Sequence, residues 1–152
     1  RGIIQLFDGK MINLPSFANT IKYRPALPSK ELESDVLIYF DGSSPDAVHG
    51  WYSRLFRQYK VKICGQFINC PGFVGLCSPD EITKLAKSAK VTLSTNKIVA
   101  DSLLYNGIPA YLDIVDFSDI EKLELDVIQK RRDIITERKL GNIICERLSN
   151  SN

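Results

Sequence analysis

The 152-residue chain lacks a strong charge of either sign: 20 basic residues against 18 acidic ones leave a net +2. That near-balance argues against non-specific nucleic-acid binding, which shows as a basic excess or patch. No apolar run approaches the ~18–20 residues that span a bilayer, and the N-terminus carries no signal-peptide pattern. The only histidine is His49, and the four cysteines (Cys64, Cys70, Cys77 and Cys145) include no CxxC pair. A zinc site needs four ligands at closer, paired spacings, so none is expected. A Ser-His-Asp or Cys-His site would have to be built on His49, which sits in the amphipathic stretch "DAVHGWYSRLF" and suits a surface or packing role. The thiols are expected to be reduced and at least half-buried, which fits a cytoplasmic protein. Both phosphate-binding glycine signatures, GxGxxG and GxxxxGK[ST], are missing, as are internal repeats and low-complexity segments.

What is present is a globular balance, 44% apolar and 25% charged, in a chain long enough to bury a core without disulfides or metal. It opens on Arg1 rather than Met, so it is read as a fragment or a processed piece. "GIIQLFDGKMINL" alternates apolar and polar residues around Asp8-Gly9, a hairpin signal. "PSFANTIKYRPALPSKELES" carries Pro15, Pro25 and Pro28 and reads as an extended connector over the surface. Residues 1–33 are thus expected to be a hairpin arm and connector, and 34–152 an α/β domain.

From Ser34 the pattern becomes strand, helix, strand, helix. Asp35–Phe40 is a nearly continuous apolar run, as in a strand covered on both faces. Ser44-Pro45 would start a helix running to about Tyr59, with Val48, Trp51, Tyr52, Leu55 and Phe56 inward. Val61–Cys64 is a second strand ending at Gly65, followed by a loop. Ser78-Pro79-Asp80-Glu81 is a capping box opening the next helix. "KVTL" is a third strand, Lys97–Asn106 a helix stopped at Gly107, and Pro109–Ile114 a fourth strand. The charged closing run is helical by period, with Leu123, Val127, Ile128, Ile134 and Ile135 between charges. This alternation predicts a doubly wound, mainly parallel sheet with helices on both faces, Rossmann-like, plus the N-terminal hairpin.

In such a sheet the ligand lies at the carboxyl ends of the strands, which singles out the loops Asp41–Ser44, Gly65–Ser78 and Ser94–Asn96. Helix N-termini there offer unpaired N–H groups to an anion, Gly42 allows close approach, and Ser43 and Ser44 add hydroxyls. An ordinary strand-to-helix turn uses the same residues. Capping alone accounts for only one of Ser94, Thr95 and Asn96. Asp101 either complements the helix dipole or points into the cleft toward sugar hydroxyls.

The ordered pieces "DVLIYFDGSS", "YKVKICGQ", "GFVGLCSPDEITKLAKSAKVTLSTN", "ADSLLYNGIPAYL" and "RRDIITERKLGNIICERL" resemble the C-terminal, nucleotide-sugar-binding half of GT-B glycosyltransferases, nearest the spore-coat-type group. The resemblance covers about residues 34–148. It implies that Gly42 and Ser43 face the donor diphosphate, Gly65 ends the second strand beside the base, and Ser94, Thr95 and Asn96 contact phosphates or sugar. Gly107 and Pro109 match the family's "GiP" turn. Ser102, with Asp101 before it, stands where family members place the glutamate that binds the ribose hydroxyls. The resemblance further implies a nucleotide sugar as donor substrate, no separate cofactor or metal, and an N-terminal acceptor domain or partner chain needed for catalysis; it assigns no catalytic residue.

Two other readings start from the same residues. One is a non-catalytic α/β module that assembles through its surface, with the hairpin as an interaction arm. The other is a small stand-alone nucleoside-processing or TIR-like domain, which "SDVLIYFDGSS" also fits but which would carry a glutamate in the helix after the third strand.

Overall fold

The computed structural model describes residues 2–5, 11–14 and 17–150. Two short strands, β1 (Gly2–Gln5) and β2 (Met11–Leu14), pair antiparallel with Gln5 opposite Met11. The expected turn at Asp8-Gly9 lies outside the described residues. This hairpin forms a sheet of its own.

The main sheet has five parallel strands: β3 (Ser34–Phe40), β4 (Val61–Gly65), β5 (Phe73–Gly75), β6 (Ala89–Ser94) and β7 (Ala110–Tyr111), in the order β5-β4-β3-β6-β7. β3 is central and bonded on both sides. Its side chains alternate between two cores, as the pleat requires. Val36, Ile38 and Phe40 join one face, where α1 (Pro45–Leu55) packs through Val48, Trp51 and Leu55. Leu37 joins the other, beneath α2 (Pro79–Lys87) and α3 (Lys97–Tyr105). The continuous apolar run of β3 is therefore explained by burial on both faces. α4 (Ile120–Arg132) puts Leu123 into the first core and Val127 into the second. The architecture is α/β and doubly wound, a Rossmann-like fold.

Helix ends follow their chemistry. Ser78 and Glu81 complete the capping box at α2. The end of α3 is a Schellman motif: Gly107, at φ 79°, donates its N–H to the Leu104 carbonyl, and Ile108 donates to Leu103.

Four expectations change. The loop after β4 contains β5, an edge strand too short and too glycine-rich to show a period. The fourth strand is only Ala110–Tyr111, because Trp51 Nε1 donates to Asp113 Oδ1 at 3.0 Å just beyond it and the chain turns away. α1 ends at Leu55, whose carbonyl accepts from both Gln58 and Tyr59 in a tight turn. The closing run is two helices, α4 and α5 (Glu137–Asn150), separated at Asp133–Thr136, where the Thr136 hydroxyl accepts from the Lys139 N–H and caps α5.

That break is where the connector docks. Ala18 donates to the Ile135 carbonyl at 2.6 Å and accepts from the Glu137 N–H at 3.2 Å, a parallel bridge to Thr136. Thr20 adds two hydrogen bonds to the Glu137 carboxylate. Ala18 and Tyr23 are buried in the core with α3, so the connector is held in the packing as well as over the surface.

One buried group invites a change. Thr92, fully buried in β6, has an Oγ1 with no hydrogen-bond partner among the described residues. Thr92→Val keeps the β-branched shape and removes an unpaired hydroxyl, so it is expected to stabilise by about 1 kcal/mol. Calorimetry should show Tm raised by roughly 2–4 °C.

Candidate functional site

The order β5-β4-β3-β6-β7 means that connections leaving β3 and β6 run in opposite directions, which opens a crevice between their carboxyl ends. The loops Asp41–Ser44 and Ser94–Asn96 meet there, and what joins them is the side chain of Asp41.

Asp41 Oδ1 accepts from the Ser43 N–H at 2.9 Å, from the Ser43 hydroxyl, and from Thr95 Oγ1 at 2.7 Å. Asp41 Oδ2 accepts from Asn96 Nδ2 at 3.2 Å. In return the Asp41 N–H donates to Thr95 Oγ1 at 2.9 Å. Burial pushes the carboxyl up, but the hydrogen bonds from Ser43, Thr95 and Asn96 outweigh it and hold the pKa below the ordinary value. The crevice therefore contains a fixed carboxylate, an acceptor only.

Each polar residue of the second loop has structural work. Ser94 is fully buried; its Oγ donates to the Asn96 carbonyl at 2.8 Å and accepts from the Asn96 N–H at 3.0 Å. Asn96 Oδ1 caps α3 by accepting from Val99 N–H at 3.1 Å. Of the three, only Thr95 and Asn96 turn toward the other loop.

On the first loop, Gly42 (φ 94°) and Ser43 are exposed, and Ser44 is held in the left-handed region at φ 56°. Ser44 precedes Pro45, and its side chain makes no cap hydrogen bond. A non-glycine residue in that conformation costs about 1–2 kcal/mol, strain of the kind that collects at ligand sites. Beside this loop lies an open groove of about 620 Å³ lined by Phe40, Asp41, Gly42, Pro45, Gln66, Phe67 and Ile68. Phe67 is 77% exposed, its ring edge-on to Phe73 at 5.6 Å.

Gly65 sits under the groove at φ 106°, where a Cβ would fall 2.2 Å from the Phe40 carbonyl oxygen. The tight approach of β3 and β4 therefore demands glycine, whatever the ligand.

The remaining expected residues lie elsewhere. Asp101, buried, is paired with Lys97 at 3.0 Å and faces a second groove of about 610 Å³ between α3, β7 and the α4–α5 turn. Ser102 is 1% exposed; its Oγ accepts from the Asn19 N–H at 2.8 Å and donates to the Ile98 carbonyl at 2.6 Å, pinning the connector to α3. Gly107 ends α3 toward the amino ends of the strands, one helix length from the crevice. So Gly42, Ser43, Thr95 and Asn96 come together, with Ser94 and Gly65 as their support, while Asp101, Ser102 and Gly107 do not join them. The residue that sequence reasoning left out is Asp41; its signal was an aspartate directly after a strand and before Gly-Ser, an Asx-turn pattern.

Compared with protein-family models, with curated proteins and with solved structures, the chain matches none.

Two outcomes follow from this geometry. Gly65→Ala combines a positive φ with a backbone clash and is expected to cost more than about 2 kcal/mol, seen as a Tm drop of at least roughly 5 °C. For Asp41, the folded pKa lies below the ordinary 3.8, so its contribution is present above that pH and is lost as pH falls through the folded value. Asp41→Asn should be less stable than wild type at pH 7, and the gap should close below pH 3.8 in urea denaturation.

Proposed function

We propose that this chain is the donor-binding lobe of a GT-B-type glycosyltransferase, acting with a second lobe or partner chain that brings the acceptor. The observation that carries the reading is the meeting of the Asp41–Ser44 and Ser94–Asn96 loops at the switch point, beside a groove with an exposed aromatic ring. The chemistry of the groove suggests how a nucleotide sugar would lie. A fixed carboxylate repels phosphate and accepts from hydroxyls, so Asp41 suits the sugar or ribose hydroxyls. The diphosphate fits the exposed start of α1 at Gly42–Pro45, where the helix dipole favours an anion. Phe67 offers its face to a base.

A second reading is favoured by one specific observation: the hydroxyls and amide of Ser94, Thr95 and Asn96 are engaged with Asp41 and with the local backbone, and Ser102 holds the connector. On that reading the chain is a non-catalytic α/β module whose surface serves assembly.

Calorimetric titration of the full chain with UDP- and GDP-linked sugars separates the two. Binding is expected, weakened about tenfold, equivalent to ~1.4 kcal/mol, by Asp41→Asn or Phe67→Ala. Ser102→Ala should leave affinity within about twofold, since its hydroxyl serves the connector. Absence of binding by either donor class, together with a stable complex that requires residues 1–33, would establish the assembly module instead.

A further inference from the structure

The loop between β4 and α2 brings two thiols together. Cys64, fully buried near the end of β4, faces the core shared with α2 and α3, and Cys77 packs against the same core. The pairing of β4 with β5 sets Cys64 beside Gly75. Two residues on, the chain turns back so that Cys77 Sγ donates to the Gly75 carbonyl at 3.7 Å. Cys64 and Cys77 thus flank the same glycine on the same face of the sheet. Cys70, the third thiol of the loop, packs against the core on the opposite face of the sheet, and Cys145 is exposed on α5. The loop therefore selects one pair among four cysteines.

We propose that Cys64 and Cys77 are a two-thiol redox site, with Cys77 the attacking thiol and Cys64 the resolving one, oxidised to an intramolecular disulfide by a low-molecular-weight disulfide of the glutathione type. The two thiols differ as such a pair should. The neighbouring Cys64 side chain lowers Cys77 to about 7, against burial and the nearby Glu81 carboxylate. The neighbouring Cys77 side chain and deep burial push Cys64 up, with Tyr23 and Tyr39 as its titratable neighbours. Cys77 also precedes the N-cap of α2, where the helix dipole favours a thiolate.

The reaction balances without a metal or cofactor. The Cys77 thiolate attacks one sulfur of the small disulfide, whose S–S bond breaks, and one small thiolate leaves. Cys64 then gives up its proton, its sulfur attacks Cys77, and the second small thiolate leaves. Two protein thiols are oxidised, one small disulfide is reduced to two thiols, and the protons pass to the leaving groups. Cys77 is half-buried, and the space beside Gly75 is open, since a Cβ there would meet nothing within 4 Å. Bonding needs the sulfurs at about 2.05 Å, so Leu76–Cys77, outside any strand or helix, must move inward. The closed ring would include Gln66, Phe67 and Ile68, three residues of the groove beside Asp41.

The test is incubation of the full chain with excess oxidised glutathione, acid quench, alkylation under denaturing conditions, and mass mapping. The tryptic peptide Ile63–Lys84 holds Cys64, Cys70 and Cys77, so a Cys70→Ser variant leaves only the pair. Its peptide is expected lighter by two hydrogens and free of alkyl groups, and the native chain should fall from four alkylatable thiols to two. Cys77→Ser should abolish the change. Cys64→Ala, with its fold checked by circular dichroism, should stop at one glutathione on Cys77. Full alkylation of both thiols in native chain and Cys70→Ser variant, a persistent glutathione on native Cys77, or a bridge that includes Cys70 would each overturn the assignment.

Discussion

The simultaneous parallel pairing of β3 with β4 and β6 is the constraint from which the rest follows. A strand bonded on both edges and buried on both faces has no solvent side, so every residue of Val36–Phe40 must be apolar or nearly so. It also fixes what happens where the strand ends. Phe40 crowds Gly65 so closely that only glycine fits, and the Tyr39 carbonyl accepts from the Thr95 N–H at 3.1 Å, drawing the β6 loop over the end of β3. Asp41, the first residue past this framework, emerges into a ring of donors already set around it. The crevice is thus a product of sheet closure before it is a feature of any ligand.

This view explains why location and content of the site were not equally legible. Its position could be read because the alternation of strands and helices determines where a doubly wound sheet splits, and "DGSS" and "STN" stood at the matching strand ends. Its chemistry could not, because donors and acceptors on loops more than fifty residues apart cancel one another only in three dimensions. Capping accounted for only one of Ser94, Thr95 and Asn96; Asp41 engages Thr95 and Asn96, and Ser94 is spent on the Asn96 backbone. Likewise Ser102 stood in the helix position expected to face a ligand, yet its hydroxyl is taken by Asn19 from a segment read as peripheral.

The fold shows the same division. Elements marked by local chemistry were legible: the capping box at Ser78, the glycine stop at Gly107, the apolar run of β3. Features without a local mark were not. Leu123, Val127 and Ile134 keep a helical period straight through the α4–α5 break, so only the short signal of a threonine after two β-branched residues distinguished two helices from one. β5, three residues long, has no room for a period at all.

The docking of the connector at that break has a consequence for the order in which the molecule assembles. Thr20 and Glu137 are 117 residues apart, and Ala18 sits between the carbonyl of Ile135 and the N–H of Glu137. On a ribosome the connector is made 117 residues before the turn that seats it. The sheet can form while the connector is still loose, and the connector closes the structure only once the α4–α5 turn has emerged. Long-range contacts of this kind are slow to form and expose apolar surface while they wait. Ala18 and Tyr23 therefore act as a late latch: they are the part of the core that a newly made chain holds open longest.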